Sequence, residues 1–108
     1  MAGNPTSEVD VDIRHGLAPA FNVANIDFPF NFIGTMDLAA VPWIASTVHV
    51  GEFEGIAPTG LTVEIRGVTI YDASDPSGPA QFSRVIDWSW VYAQLGIVLY
   101  ARPIEPAM

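Results

Sequence analysis

Apolar and polar positions alternate with a period of two in several stretches, and this alternation predicts strands. In residues 43–50, Trp43, Ala45, Thr47 and His49 share one face, while Ile44, Ser46, Val48 and Val50 share the other. The extended character reaches back to Met36, but Pro42 makes pairing more secure from Trp43 onward. Residues 61–72 carry the clearest strand: Leu61, Val63 and Ile65 alternate with Thr62, Glu64 and Arg66. After Gly67 the phase flips to Val68 and Ile70, which predicts a bulge at Gly67 that keeps both sets on the core. Residues 81–86 form a third strand, joined to the second by the turn-forming run Ser74-Asp75-Pro76-Ser77-Gly78-Pro79. Residues 9–13 also alternate, with Val9, Val11 and Ile13 opposite Asp10 and Asp12, and predict a short strand.

Helical signals are fewer. Asp87 before residues 88–95 and Gly96 after them fit one short capped helix. Residues 15–35 are rich in Asn, Pro, Gly and Phe and show no helical stripe. Pro29, within the run Phe28, Phe30 and Phe32, demotes any strand there to a sheet edge. Residues 51–60 hold three glycines and a proline and read as a structured turn. Residues 1–8 read as a disordered start, and the apolar tail 97–101 stops at Pro103.

Composition narrows the function classes. A chain of 108 residues fits one domain, and half of its residues are hydrophobic. The net charge is −8, with no lysine and only Arg14, Arg66, Arg84 and Arg102 as strong cations. That balance disfavours nucleic acid and anionic membrane surfaces, which need several cations. A neutral or weakly polar small molecule is the easiest ligand electrostatically. No apolar run is long enough to span a membrane, and residues 1–12 lack the pattern of a signal peptide. The absence of cysteine removes disulfides and thiol chemistry, and the expected compartment is cytoplasmic.

Two segments carry a family likeness. The run from Trp43 through His49-Val50-Gly51 to Gly55-Ile56-Ala57-Pro58-Thr59-Gly60 resembles the signature of SnoaL-like polyketide cyclases, also called ester cyclases. Ile86-Asp87-Trp88 through Gln94-Leu95-Gly96 resembles the closing strand and helix end of the same family. Residues 36–96 are the best-matching segment of a single domain spanning 1–108. The resemblance implies an α+β fold: a curved antiparallel sheet with a few short helices, in the cone-like nuclear-transport-factor-2-like architecture. It implies a homodimer. It also implies cofactor-independent, metal-free acid/base chemistry on a small hydrophobic carbonyl substrate, by aldol cyclisation or isomerisation. The matching acid/base position is Asp87. Family members carry helices before the sheet that are shortened or replaced here. A second pocket histidine of some members aligns with Thr69, and the usual Asp-Gly-Lys hairpin is replaced by Asp75-Pro76-Ser77-Gly78.

The candidate residues each have a chemical and a structural reading. Asp87 beside Trp88, Trp90 and Ile86 would have a raised pKa in an apolar pocket and act as a base; alternatively it caps the following helix. His49 could hold a carbonyl or pair with a carboxylate, or serve as a structural histidine at a strand end. Trp43, Thr69, Tyr71, Trp88, Trp90 and Tyr92 are candidate substrate contacts, with the aromatics equally suited to core or dimer surface. Arg84 is positioned to pair with Glu64 across the hairpin. His15 and His49 lack metal-site spacing, and no serine sits in a nucleophile elbow. The competing function is a non-catalytic domain that binds a small apolar ligand or mainly dimerises.

Overall fold

The computed structural model describes residues 4–97. It is an α+β domain with a five-stranded antiparallel sheet and two helices, ordered α1 (Pro5–Leu17), β1 (Phe21–Asp27), β2 (Ile33–Gly34), β3 (Leu38–His49), β4 (Thr62–Asp72), β5 (Gln81–Ile86) and α2 (Trp88–Gln94). The sheet order is β1-β3-β4-β5, with β2 beside β1 on the same edge of β3. The expected tail beyond residue 97 and the start at residues 1–3 lie outside the described residues.

The first element corrects the reading of residues 4–13. These residues are neither disordered nor a strand; they form α1. Asn4 caps it, accepting a bond from the Thr6 N–H at 2.9 Å, and Pro5 opens the first turn. Pro5, Val9, Ile13 and Leu17 are spaced by four and are all buried. Val11, which would join Val9 and Ile13 on a strand face, is 68% exposed. Burying each of Val9, Ile13 and Leu17 contributes roughly 1.5–3 kcal/mol relative to leaving it in water. Arg14 bonds Asp10 at 2.7 Å one turn back, a pair that helical spacing brings together.

The strands otherwise follow the alternation. In β3 every odd position from Ala39 to His49 is buried, so Trp43, Ala45, Thr47 and His49 do share the inner face. The expected bulge at Gly67 is absent. β3 and β4 pair without a shift from Leu38 opposite Asp72 to Val48 opposite Thr62. Val63, Ile65, Thr69 and Tyr71 therefore all point inward, and Val68 and Ile70 lie on the outer face. Gly67 sits opposite Trp43 for a steric reason: a Cβ there would come within 2.5 Å of the Trp43 indole and 2.8 Å of the Val85 carbonyl. The glycine is space for a ring, not a kink. The irregularity falls instead in β1, between Val23 and Asn25, and β1 ends before Pro29 as an edge strand.

Two devices close the structure. The helix α1 lies across the inner face, contacting β1, β3 and β4. At the other side β5 stops at Ile86, leaving the lower part of β4 without a strand neighbour on the edge away from β3. There the Gln94 carboxamide replaces one: its oxygen accepts from the Glu64 N–H at 2.7 Å and its nitrogen donates to the Glu64 carbonyl at 2.6 Å. Val91 of α2 is fully buried against this region. Gly96 then takes φ +77°, the left-handed conformation that ends a helix at low cost.

Candidate functional site

The residues singled out in the sequence fall in three places. The first is a shallow cleft of about 390 Å³ lined by Arg66, Asp87, Ser89, Trp90 and Ala93. Asp87 is exposed and caps α2. Its Oδ1 accepts from the Ser89 hydroxyl at 2.7 Å and from the Trp90 N–H at 3.3 Å. Those two bonds stabilise the charged form and hold its carboxyl below the usual range. The apolar pocket that would raise its pKa is not there, so the expected environment of a base is replaced by that of a cap. Trp90 is 39% exposed and stacks under the Arg66 guanidinium, 5.5 Å from the ring centre.

The second place is the end of the inner face at His49. The ring is fully buried. Its Nδ1 accepts the Thr59 N–H at 3.2 Å and lies 3.0 Å from the Thr59 hydroxyl. A backbone N–H only donates, so the neutral ring carries its proton on Nε2. That Nε2 is buried with no partner among the described residues. The His49 carbonyl accepts from Gly60 N–H and its own N–H donates to Leu61. The Pro-Thr-Gly corner thus folds back and clasps the histidine through backbone and side chain together. Phe21 lies 5.3 Å from the His49 ring, Phe53 lies 5.1 Å from Phe21, and Trp88 and Tyr92 both stack on Phe53. The Tyr92 hydroxyl bonds Glu54, which pushes its pKa up.

The third place is the opposite end of the same face. Trp43 and Thr69 are buried and satisfied by each other, with Trp43 Nε1 donating to Thr69 Oγ1 at 2.9 Å. They form core, where contact with a substrate was expected. Beyond them, Tyr71 forms the floor of a cavity of about 500 Å³, whose other walls are Glu8, Asp37, Ala73, Asp75, Pro76, Gly78 and Ala80. The Tyr71 side chain is only 1% exposed, with Phe82 packed edge-on at 5.6 Å. Among the described residues its hydroxyl forms no hydrogen bond. Burial and the nearby Glu8 and Asp37 carboxylates push its pKa up.

Glu8, Asp37 and Asp75 were not anticipated in this site. Glu8 is brought there by α1, so the signal that could have found it was the four-residue spacing of Pro5, Val9, Ile13 and Leu17. The expected Arg84–Glu64 pair does not form. Arg66 takes Glu64 at 2.8 Å, and Arg84 reaches inward toward Asp12 at 3.5 Å. Among the described residues no group of three or more His, Asp and Glu side chains could hold a metal ion, and no helix is long and apolar enough to cross a membrane.

Comparison with known proteins gives one likeness. No protein-family model and no curated protein matches the chain. The crystal structure of AclR from Streptomyces galilaeus, provisionally described as a hydroxylase, superposes with a TM-score of 0.62 at 22% identity. The likeness is one of fold. It covers 89% of this chain and 63% of AclR, so this chain spans less than two thirds of that protein.

Proposed function

We propose that the chain is a small-molecule-binding domain of the SnoaL-like, nuclear-transport-factor-2-like type, and that the cavity over Tyr71 is its binding site. One observation carries this reading: the Tyr71 side chain, itself almost wholly buried, lines a cavity of about 500 Å³ whose other walls come from α1, the turn before β3 and the β4–β5 loop. That volume suits a small organic ligand. With its pKa raised, Tyr71 remains a donor at neutral pH and suits a carbonyl oxygen on a ligand with a hydrophobic body. The test is ligand-observed NMR with a panel of small aryl ketones. Binding should perturb Tyr71 and Phe82 and weaken in Tyr71→Phe; unchanged binding in that variant rejects Tyr71 as the anchor.

A second reading, cofactor-independent acid/base catalysis, is favoured by His49 Nε2, a ring nitrogen buried without a partner among the described residues. The two hydrogen bonds that favour its charged form make Asp87 a weak base at neutral pH. Exchange of the acidic α-protons of a β-ketoester probe in deuterated water tests this. Faster exchange that is lost in His49→Gln and kept in Asp87→Asn supports His49; loss in Asp87→Asn alone restores the assignment to Asp87.

The outer face of the sheet supports a homodimer. Ile33, Leu38, Val68, Ile70 and Val85 all lie there and are each more than a third exposed. A second copy of the same apolar surface would cover it. Sedimentation at increasing concentration, with Val68→Lys as the disrupting variant, decides it. A reducing compartment such as the cytoplasm fits a chain without cysteine.

A further inference from the structure

The apolar outer face of the sheet is bounded along β4 by opposite charges. The even-numbered residues of β4 point outward, so Glu64, Arg66, Val68, Ile70 and Asp72 follow one another along that face. Val68 and Ile70 lie in the middle, with Arg66 on one side of them and Asp72 on the other. Neither charged side chain is exhausted within the fold. Arg66 gives Nε and Nη2 to Glu64, and its Nη1 forms no hydrogen bond among the described residues. Asp72 takes the Ser74 N–H and hydroxyl on Oδ1, and its Oδ2 has no partner among the described residues either.

A second copy can cover this face through a two-fold axis running either along or across the strands. An axis along β4 sets each β4 residue on its own equivalent, so Arg66 meets an arginine and Asp72 an aspartate. Like charges placed opposite each other disfavour that arrangement. An axis across the strands lays β4 antiparallel over the partner's β4, and its one variable is the row it passes through. At Val68 it sets Glu64 on the partner's Asp72, which repels. At Ile70 it sets Val68 on the partner's Asp72, which buries a charge against a methyl group. At Thr69 it sets Val68 on the partner's Ile70 and Arg66 on the partner's Asp72. Val41 of β3 shares the Thr69 row, so the same axis sets Leu38 on the partner's Ile44. A single position of the axis thus matches apolar with apolar on two strands and cation with anion at both ends of β4.

We propose that two copies of the chain stack outer face to outer face with their β4 strands antiparallel, Arg66 of each reaching the partner's Asp72. This rests on the assignment of the outer face to a homodimer and adds the orientation of the two copies. Stacked sheets keep their strand directions within about 30° of each other, so both ends of β4 stay over the partner strand.

The test is a charge exchange on the full chain, followed by sedimentation over a range of concentrations. Arg66→Asp sets like charges opposite each other at both ends of the interface, and so does Asp72→Arg. Each should weaken the dimer by about tenfold, roughly 1.4 kcal/mol. The two substitutions move the net charge in opposite directions, so a general charge effect would weaken one dimer and strengthen the other; that result overturns the proposal. The doubly exchanged chain, Arg66→Asp with Asp72→Arg, should dimerise as the wild type does, because each end again pairs opposite charges. Mixing the two single variants should likewise give a strong mixed dimer, which also shows that both are folded. A wild-type dimer that survives both single changes, or a double exchange that stays as weak as the singles, overturns the antiparallel orientation and leaves the homodimer standing. A wild-type chain that stays monomeric at every concentration overturns both.

Discussion

The two ends of the inner sheet face solve the same problem in opposite ways. Each end holds a buried polar ring, His49 at one and Tyr71 at the other. At the His49 end the Pro-Thr-Gly corner folds over and binds the ring, and Phe21 and Phe53 fill the remaining space. At the Tyr71 end the loops carry carboxylates in place of aromatics and leave a cavity. A polar group that is closed over contributes to one fixed conformation. A polar group left facing a void with charged walls contributes little to folding and is available for a ligand.

That contrast can be broken most strongly at the closed end. Phe21→Ala removes a ring that is 2% exposed and wedged between His49 and Phe53. It should destabilise the fold by about 3–5 kcal/mol, read as a lower midpoint in chemical denaturation. A loss below about 1 kcal/mol would mean that the aromatic packing is not what closes this end.

The middle of the sheet should respond less. Gly67→Ala places a methyl within 2.5 Å of the Trp43 indole and should cost about 1–3 kcal/mol. Trp43 fluorescence should shift as the indole is displaced. A neutral result would restore the bulge expected from the sequence.

Acid should act chiefly on the loops and caps. Asp72, Asp75 and Asp87 have folded pKa values below the ordinary one, because Ser74, Ser77 and Ser89 respectively donate to their charged forms. Groups with depressed folded pKa values stabilise the fold above their unfolded pKa, about 3.9. That contribution is lost as pH falls below about 4 through the folded values. Asp72→Asn and Asp75→Asn together should flatten the acid limb of a thermal stability profile, and an unaltered limb would refute the role of these turns.

The smallest effect is expected at the open end. Tyr71→Phe removes a hydroxyl that has no partner among the described residues and should change stability at neutral pH by less than about 0.5 kcal/mol. Its signature lies at high pH. A folded pKa above the ordinary value of about 10 keeps the wild-type stability intact below pH 10 and lowers it as pH rises toward the folded value. The phenylalanine variant should lack that alkaline loss. A large loss at neutral pH would reveal an internal partner for the hydroxyl.

What the sequence made legible was local. Alternation from Trp43 to His49 fixed the inner face because consecutive strand side chains must point to opposite sides. The Asp87 cap and the Gly96 stop were visible because both are set by backbone needs at helix ends. Two misreadings share one cause: a short period is ambiguous without its partner. Val9 and Ile13 satisfy both a two-residue and a four-residue spacing, and only packing of Pro5 and Leu17 on the sheet selects the helix. Val68 and Ile70 looked like core because they are apolar, yet the register with β3 puts them outside. The site was half legible. Tyr71 was named only as an aromatic side chain suited to a ligand contact, and Glu8, Asp37 and Asp75 are neighbours only through tertiary contacts, which no spacing encodes.

Gln94 gives the molecule a terminus of another kind. Open antiparallel sheets can grow by recruiting a strand from a second chain wherever a backbone edge lies bare. Below Ile86, the edge of β4 has its Glu64 rung already taken by a carboxamide, one acceptor and one donor in the order a strand would offer. A single side chain thus works as a stopper against polymerisation, so Gln94→Ala should aggregate faster on mild heating.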